Sequence, residues 1–343
     1  MRALFIGMGS IGQRHLQNYI HLRPNYNEIL SYRTHNAKNI IKNGKIVSDK
    51  NINKYYNIND FSSLEEALIR KPQIAFICNP SSLHIDTAIE IANSGIHFFV
   101  EKPLGTSLKN LSLLKSLINK NKLINMIGYQ SRFNPMLLNA KKIISSLKYG
   151  KVINAEFKWT TYLPDHHPYE DYRKSYAARK DLGGGVVFCL IHELDIIQWF
   201  FGLPNDVYAT EGVEKILNLD VDENVFAIFN FKNDNRNFPL FLSLSFSQKV
   251  EKRFFLIQMQ KAILECDLIN NEINIIENKK NNIINRKYNQ MERNDFFCAE
   301  IEEFISCVEN NSKTSIPIIE GEKSLRLALA IHKSIKNKKA VSI

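Results

Sequence analysis

Short apolar runs alternate with amphipathic stretches through the first third of the chain, the pattern of a parallel sheet wrapped by crossover helices. Ala3 to Ile6 reads as a strand, Ile11 to Ile20 as the helix behind it and Ile29 to Tyr32 as a second strand. Ser63 opens a helix as its cap, three residues before Glu66. Ile74 to Cys78 is a buried strand ending in Asn79-Pro80, and His84 to Ser94 is an amphipathic helix stopped by Gly95. Ile96 to Val100 then delivers Glu101-Lys102-Pro103 to the C-terminal edge of a strand, where open α/β sheets bind ligands. A helix from Leu108 to Ile118 and a strand from Ile124 to Tyr129 complete this half.

Beyond residue 129 the pattern lengthens. Val152 to Tyr162, Val225 to Phe231, Leu240 to Phe246 and Phe254 to Met259 read as longer, partly alternating strands of an antiparallel or mixed sheet. One helix spans Val186 to Phe201, and helices at Asp295 to Val308 and Glu320 to Lys336 close the chain. The fold class expected is α/β: a Rossmann domain over residues 1–128, then an α+β domain over 129–343 on a mixed, largely antiparallel open sheet.

Composition narrows the function classes. The chain has 343 residues, enough for two domains with cores of their own. Its net charge of +10 comes from scattered lysines with no dense basic block, so nucleic acid is not an expected partner, although the surplus attracts anionic ligands. No apolar run reaches membrane-spanning length, and the N-terminus lacks the apolar region of a signal peptide. Five cysteines without a CxxC pair fit a reducing cytoplasm.

The chemistry begins at Gly7-Met8-Gly9-Ser10-Ile11-Gly12, a GxGxxG that follows a strand and opens a helix. Gly7 permits the tight turn, Gly9 lets backbone approach a pyrophosphate, and Gly12 lets helix pack on strand. The end of the second strand, Ser31-Tyr32-Arg33-Thr34, holds no acidic residue for a ribose diol, and Arg33 suits a 2′-phosphate. NADP is therefore expected slightly ahead of NAD.

Several ordered motifs then resemble one family. Asn79-Pro80, His84, the run from Gly95 through Glu101-Lys102-Pro103-Leu104, and Gly128-Tyr129-Gln130-Ser131-Arg132-Phe133-Asn134-Pro135 are similar to the Gfo/Idh/MocA oxidoreductases, as is Gly183-Gly184-Gly185 through His192-Glu193-Leu194-Asp195. The resemblance implies NAD(P)-dependent oxidation or reduction of a sugar or polyol, with homodimers or homotetramers built on the C-terminal sheet. It implies coenzyme contacts from Asn79, Pro80, His84, Glu101, Lys102 and Gln130, and a substrate contact from Arg132. Lys102 would touch nicotinamide ribose and substrate, and His192 would face the reacting carbon.

Independently of the family, removing hydride from an alcohol leaves a carbonyl only if the hydroxyl proton also departs, and a lysine desolvated beside a cationic ring has its pKa lowered toward neutrality. Glu101 is placed to orient Lys102 or to bond the coenzyme. His192 lies among Val187, Leu190, Ile191, Leu194 and Ile197, so a half-buried core histidine is the competing reading; the preceding glycines favour a ligand. Many relatives carry an aspartate three or four residues before this histidine, where Cys189 and Phe188 stand here. Lys102 and His192 suffice, or Asp165, Asp171 or Asp195 substitutes, or activity is altered.

Asp165 to Lys180 reads as a polar, aromatic substrate lid, with His166, Arg173, Arg179 and Lys180 as contacts for an anionic group. Adjacent His166 and His167 lack a third ligand at metal spacing, and no metal is expected. The function expected is hydride transfer at a sugar carbon; family members with a similar lid look like enzymes of surface-glycan pathways, and that resemblance makes a nucleotide-activated or acidic sugar the attractive substrate. A cofactor-loaded regulator and a redox-assisted epimerase, lyase or glycosidase are the rivals.

Overall fold

The computed structural model describes all of the chain except Asn27 and residues 35–38, 43–44, 49–50, 234–235, 279–281 and 289–291. The chain divides into two compact units: residues 1–130, 181–183 and 293–322 form the first, and residues 131–180, 184–292 and 323–343 the second.

In the first unit, β1 (Arg2–Ile6), α1 (Ser10–Leu22) and β2 (Glu28–Tyr32) are followed by a hairpin of β3 (Ile40–Lys42) and β4 (Lys45–Ser48), then α2 (Ile52–Tyr56), β5 (Ile58–Phe61), α3 (Leu64–Ile69) and β6 (Ile74–Ile77). α4 (His84–Asn93), β7 (His97–Glu101), α5 (Leu111–Asn121) and β8 (Asn125–Gly128) complete the series. The parallel strands lie in the order β5-β2-β1-β6-β7-β8. Every residue of β6 and β8 is buried, as a sheet covered on both faces requires. Caps follow local chemistry: Ser63 accepts from the Glu66 N–H, and Gly95, at φ +73°, takes the left-handed turn after α4.

The second unit holds α6 (Pro135–Ser145), β9 (Val152–Tyr162), α7 (Val186–Cys189), α8 (His192–Phe201), β10 (Asp206–Glu211), β11 (Asn224–Asn233), β12 (Arg236–Ser245), β13 (Ser247–Met259), β14 (Ala262–Asp267), β15 (Glu272–Glu277) and β16 (Asn282–Lys287). Asn134 caps α6 and Pro135 sits at its start, where a missing N–H costs nothing. Stacked Phe157 and Phe255, and Phe231 and Phe238, fill the core on the covered face. The nine-stranded sheet includes β17 (Val341–Ser342) at its edge, and all its pairings are antiparallel except β9 with β12. On its other face Tyr208, Phe226, Ile228 and Phe241 are exposed, with Ile228 paired to Tyr208 and Phe241 in register.

The last two helices depart from a simple division into consecutive domains. α9 (Arg293–Glu309) and the first residues of α10 (Ile318–Asn337) return to the first unit. Arg23, at the C-terminal cap of α1, pairs with Glu302 at 2.8 Å and Glu309 at 2.9 Å. Both carboxylates are 42% exposed, so such pairs contribute about 0–1 kcal/mol. Buried Phe297, Ile301, Phe304 and Ile305 contribute roughly 1.5–3 kcal/mol each and decide where α9 lies.

The continuous helix expected over Val186 to Phe201 is broken at Leu190-Ile191 into α7 and α8. Apolar side chains all round this stretch conceal the break, because the pattern gives no polar face to interrupt. His192 therefore begins a helix instead of lying within one.

Candidate functional site

The first unit's strand order reverses direction between β1 and β6, and ligands of open α/β sheets bind outside the strand ends at such a point. Here the Gly7 N–H donates to the Tyr32 carbonyl at 3.0 Å, and the Cys78 N–H to the Ile6 carbonyl at 2.7 Å. Gly7 stands at φ +87°, and a Cβ on it would lie 2.7 Å from the Asn79 nitrogen. A Cβ on Gly12 would overlap the Gly7 carbonyl, whereas one on Gly9 meets nothing within 4 Å. Gly9 caps α1, and Ser10 and Ile11 form its first turn. An open backbone at the N-terminus of a thirteen-residue helix fits a pyrophosphate.

On the β6 side the Asn79 amide donates to Thr87 Oγ1 at 2.9 Å, while its buried Oδ1 has no hydrogen-bond partner among the described residues. That acceptor and the Gly9 opening together fit a dinucleotide. Pro80 leads into the short turn Ser81–Leu83. His84 was expected at the coenzyme, yet it is 1% exposed with Nδ1 2.7 Å from the Pro103 carbonyl and Nε2 2.8 Å from the Asn79 carbonyl. Burial pushes its pKa down despite these carbonyls. His84 is an internal brace between the loops that follow β6 and β7.

Arg33 is likewise occupied. Its Nε and Nη2 donate to Asp60 at 3.0 and 2.9 Å, Nη2 also reaches Asn53, and Ser31 Oγ bonds the same carboxylate. With the side chain only 6% exposed, Nε and Nη2 are engaged by Asp60 and Asn53, while the buried Nη1 has no hydrogen-bond partner among the described residues.

Lys102 follows β7 half-buried, with a cis bond to Pro103. Its N–H donates to Glu101 Oε2 at 3.0 Å, and Glu101 Oε1 meets His15 Nε2 at 2.6 Å. Burial pushes the Glu101 carboxyl up, but the His15 hydrogen bond and the Lys102 charge outweigh it and hold the group below its ordinary value. Glu101 is 5% exposed. Glu101, expected at the coenzyme, braces the backbone beneath Lys102. Gln130, buried, follows β8.

The second unit places His192 at the first position of α8, 3% exposed, its ring 6.2 Å from Trp159. Arg253 lies 3.9 Å over the Trp159 ring and pairs with Glu193 at 2.7 Å, building a polar and aromatic wall beside the histidine. Trp159, Glu193 and Arg253 were not anticipated; the signal available was the His-Glu pair, whose second member needed a cation.

Asp195 does not replace the missing aspartate. It is fully buried and bonds Arg132 Nε and Nη2 at 2.9 and 2.7 Å, with Gln198 and Ser324. Arg132, expected at the substrate, is held by Asp195. Phe188 packs on His332 at 4.9 Å, and Cys189 is buried.

The expected lid is a chain of short 3-10 turns. His166 bonds Thr161 Oγ1 at 3.0 Å. Arg173 is spent on Asp171 at 2.9 Å, a pair exposed to solvent, while Arg179 and Lys180 are exposed. Asp171 is accordingly committed to Arg173 and gives no support to His192.

Comparison with known proteins decides the family. The description "Oxidoreductase family, NAD-binding Rossmann fold" matches residues 1–129, and its "C-terminal alpha/beta domain" matches residues 141–343. The chain belongs to the Gfo/Idh/MocA oxidoreductases. Like other proteins of this family it is an NAD-binding oxidoreductase with an α/β fold. It is 24% identical over 268 residues to scyllo-inositol 2-dehydrogenase (NAD(+)) of Bacillus subtilis, covering 76% of this chain and 75% of that one. It is 26% identical over 203 residues to 2,7-anhydro-N-acetylneuraminate hydratase of Mediterraneibacter gnavus, covering 57% of this chain and about half, 51%, of that one. Its fold is that of the WlbA dehydrogenase from Bordetella pertussis in complex with NADH and UDP-GlcNAcA, with a TM-score of 0.79 at 18% identity over 100% of this chain and 98% of that one.

Proposed function

We propose that this family member transfers hydride between a nicotinamide coenzyme and a hydroxyl-bearing carbon of a sugar, with Lys102 moving the hydroxyl proton. The observation that carries the reading is Lys102 itself, half-buried at the end of β7, its amide held by Glu101, in the sheet whose β1 end carries the Gly7-Gly9-Gly12 cradle. Gly7, Gly9, Ser10, Ile11, Gly12, Asn79 and Gln130 would hold the coenzyme, which supplies the hydride acceptor or donor when bound. Lys102 takes the alcohol proton in oxidation and returns it in reduction. By the family resemblance His192 would orient the reacting hydroxyl, and Trp159 beside it offers an aromatic ring to a sugar.

Between coenzymes, the engagement of Arg33 by Asp60 favours NAD(H), reversing the slight preference for NADP expected from the sequence. A negative charge already bound to the guanidinium repels a second. The UDP-GlcNAcA held in the similar WlbA structure supports a nucleotide-activated or acidic sugar. The exposed apolar residues of the open sheet support a homo-oligomer through that face. The cysteines are all free thiols, and no single helix among the described residues is long and apolar enough to cross a membrane; the thiols favour a cytoplasmic setting.

A second reading is favoured by the hydratase relative: redox-assisted addition or elimination, in which the coenzyme is regenerated each cycle. Screening NAD and NADH against nucleotide sugars, acidic sugars and inositols separates the two, since only the dehydrogenase accumulates changed coenzyme. In either case Lys102→Ala should abolish turnover and leave NADH binding, read by fluorescence titration, within a few-fold of the parent. Normal turnover by Lys102→Ala would end the assignment.

A further inference from the structure

Beside Lys102 lies a buried cluster that this chemistry does not use. His15 of α1, Glu101 at the end of β7 and Glu300 of α9 bring one ligating atom each within 4.8 Å of one another. His15 and Glu300 are fully buried, and aromatic rings enclose His15, with Phe99 5.0 Å and Phe297 5.9 Å away. Glu101 is committed on both oxygens, to His15 and to the Lys102 N–H. Neither oxygen of Glu300 has a hydrogen-bond partner among the described residues.

A dry carboxylate facing a second one does not stay ionised, because two like charges at such a distance cannot both persist without solvent. Burial, reinforced by the charges of Glu101 and Glu303, pushes the Glu300 carboxyl well above its ordinary value. Among the described residues the other titratable or charged groups facing this cluster are Cys78, Arg14, His84 and Lys102. A cation does not account for the arrangement as it stands. His15 and Glu101 are 2.6 Å apart, a hydrogen-bond distance, whereas two ligands of one metal keep roughly 3 Å or more between them.

We propose that Glu300 is a positioning residue: as an uncharged acid it offers its proton to Glu101 and, through Glu101, fixes the backbone that presents Lys102. This rests on the reading of Lys102 as the proton-handling residue. The helical spacing marks Glu300 for such a place, three residues after Phe297 and four before Phe304 on the buried stripe of α9.

Two variants of the full chain, Glu300→Gln and Glu300→Leu, test it. The first readout is thermal unfolding without coenzyme from pH 5 to 8. Native Glu300 binds its proton more tightly than the unfolded chain does, so the wild type loses stability as pH rises above the unfolded value of about 4.3. Glutamine does not titrate; its Tm should gain on the wild type by several degrees across this range. A flat or falling difference would mean that native Glu300 is ionised and would overturn the proposal. So would stoichiometric zinc or manganese in the wild type that Glu300→Gln loses.

The second readout is the NMR signal of ¹³C-methylated Lys102, assigned by its absence from Lys102→Arg. It should stay in place in Glu300→Gln and shift or broaden in Glu300→Leu, and an unmoved signal in the leucine variant refutes the positioning role. If Glu300→Leu does not fold, the glutamine melts decide. Failure of Lys102 as proton carrier would appear separately, as turnover by Lys102→Ala, with both readouts unaffected.

Discussion

Replacing Arg132 by leucine should damage stability far more than it damages any contact with substrate. Its guanidinium bonds Asp195 twice, with side-chain exposures of 6% and 0%. Without Arg132, the buried Asp195 carboxylate keeps Gln198 at 3.0 Å and Ser324 at 3.2 Å. Those neutral donors contribute about 1 kcal/mol each, while stranding a buried charge costs about 3–5 kcal/mol. At roughly 2–4 °C per kcal/mol for a unit of this size, Tm should fall by about 6–20 °C. Thermal scans by circular dichroism measure this directly. The double variant Arg132→Leu/Asp195→Leu, which removes both charges, should recover much of the loss, giving a coupling energy of several kcal/mol in a double-mutant cycle. A single variant that melts within about 2 °C of the parent while its KM for sugar rises many-fold would refute the reasoning and return Arg132 to the substrate site.

Asp60→Asn should free the Arg33 fork and raise the NADP-to-NAD ratio of kcat/KM on the order of tenfold; an unchanged ratio would show that Arg33 does not approach the adenosine 2′ position. Phe241→Asp puts a charge beside exposed Phe226 and Ile228 on the open sheet face, and light scattering after gel filtration should report a smaller assembly than the parent. Equal masses for variant and parent would move the interface elsewhere or leave none.

Much of this was legible in the sequence because burial there is periodic and local. The runs Ala3 to Ile6, Ile74 to Ile77 and Phe98 to Val100 lie in strands, since a parallel sheet covered on both faces asks for unbroken apolar residues. The glycine cradle was legible for the same reason: backbone geometry at Gly7 and Gly12 excludes a Cβ whatever the tertiary context. α2, α6, the β3–β4 pair, β5, β10, β14 to β16 and β17 are not apparent in the sequence pattern, and β15 shows why. Glu-Ile-Asn-Ile-Ile-Glu alternates only partly, and its pairing partners lie in strands that are themselves weakly patterned.

The site residues divide along the same line. A motif gives a residue's place on the chain but not its partner, so His84, Arg132 and Arg33 were read as ligand contacts while each is committed to a group distant in sequence. Asp60 and Glu300 carry no motif at all. Only the tertiary structure shows what they face.

The return of α9 to the first unit has a consequence for biosynthesis. Phe304 packs against Phe76 and Phe99, with ring centroids 5.7 and 6.0 Å away, yet it is made more than 200 residues after them. At about 5–20 residues per second, the first 130 residues wait on the order of ten to forty seconds with that aromatic surface uncovered. A nascent chain of this kind is a client for a holdase during translation, and a fragment ending at residue 130 would remain one.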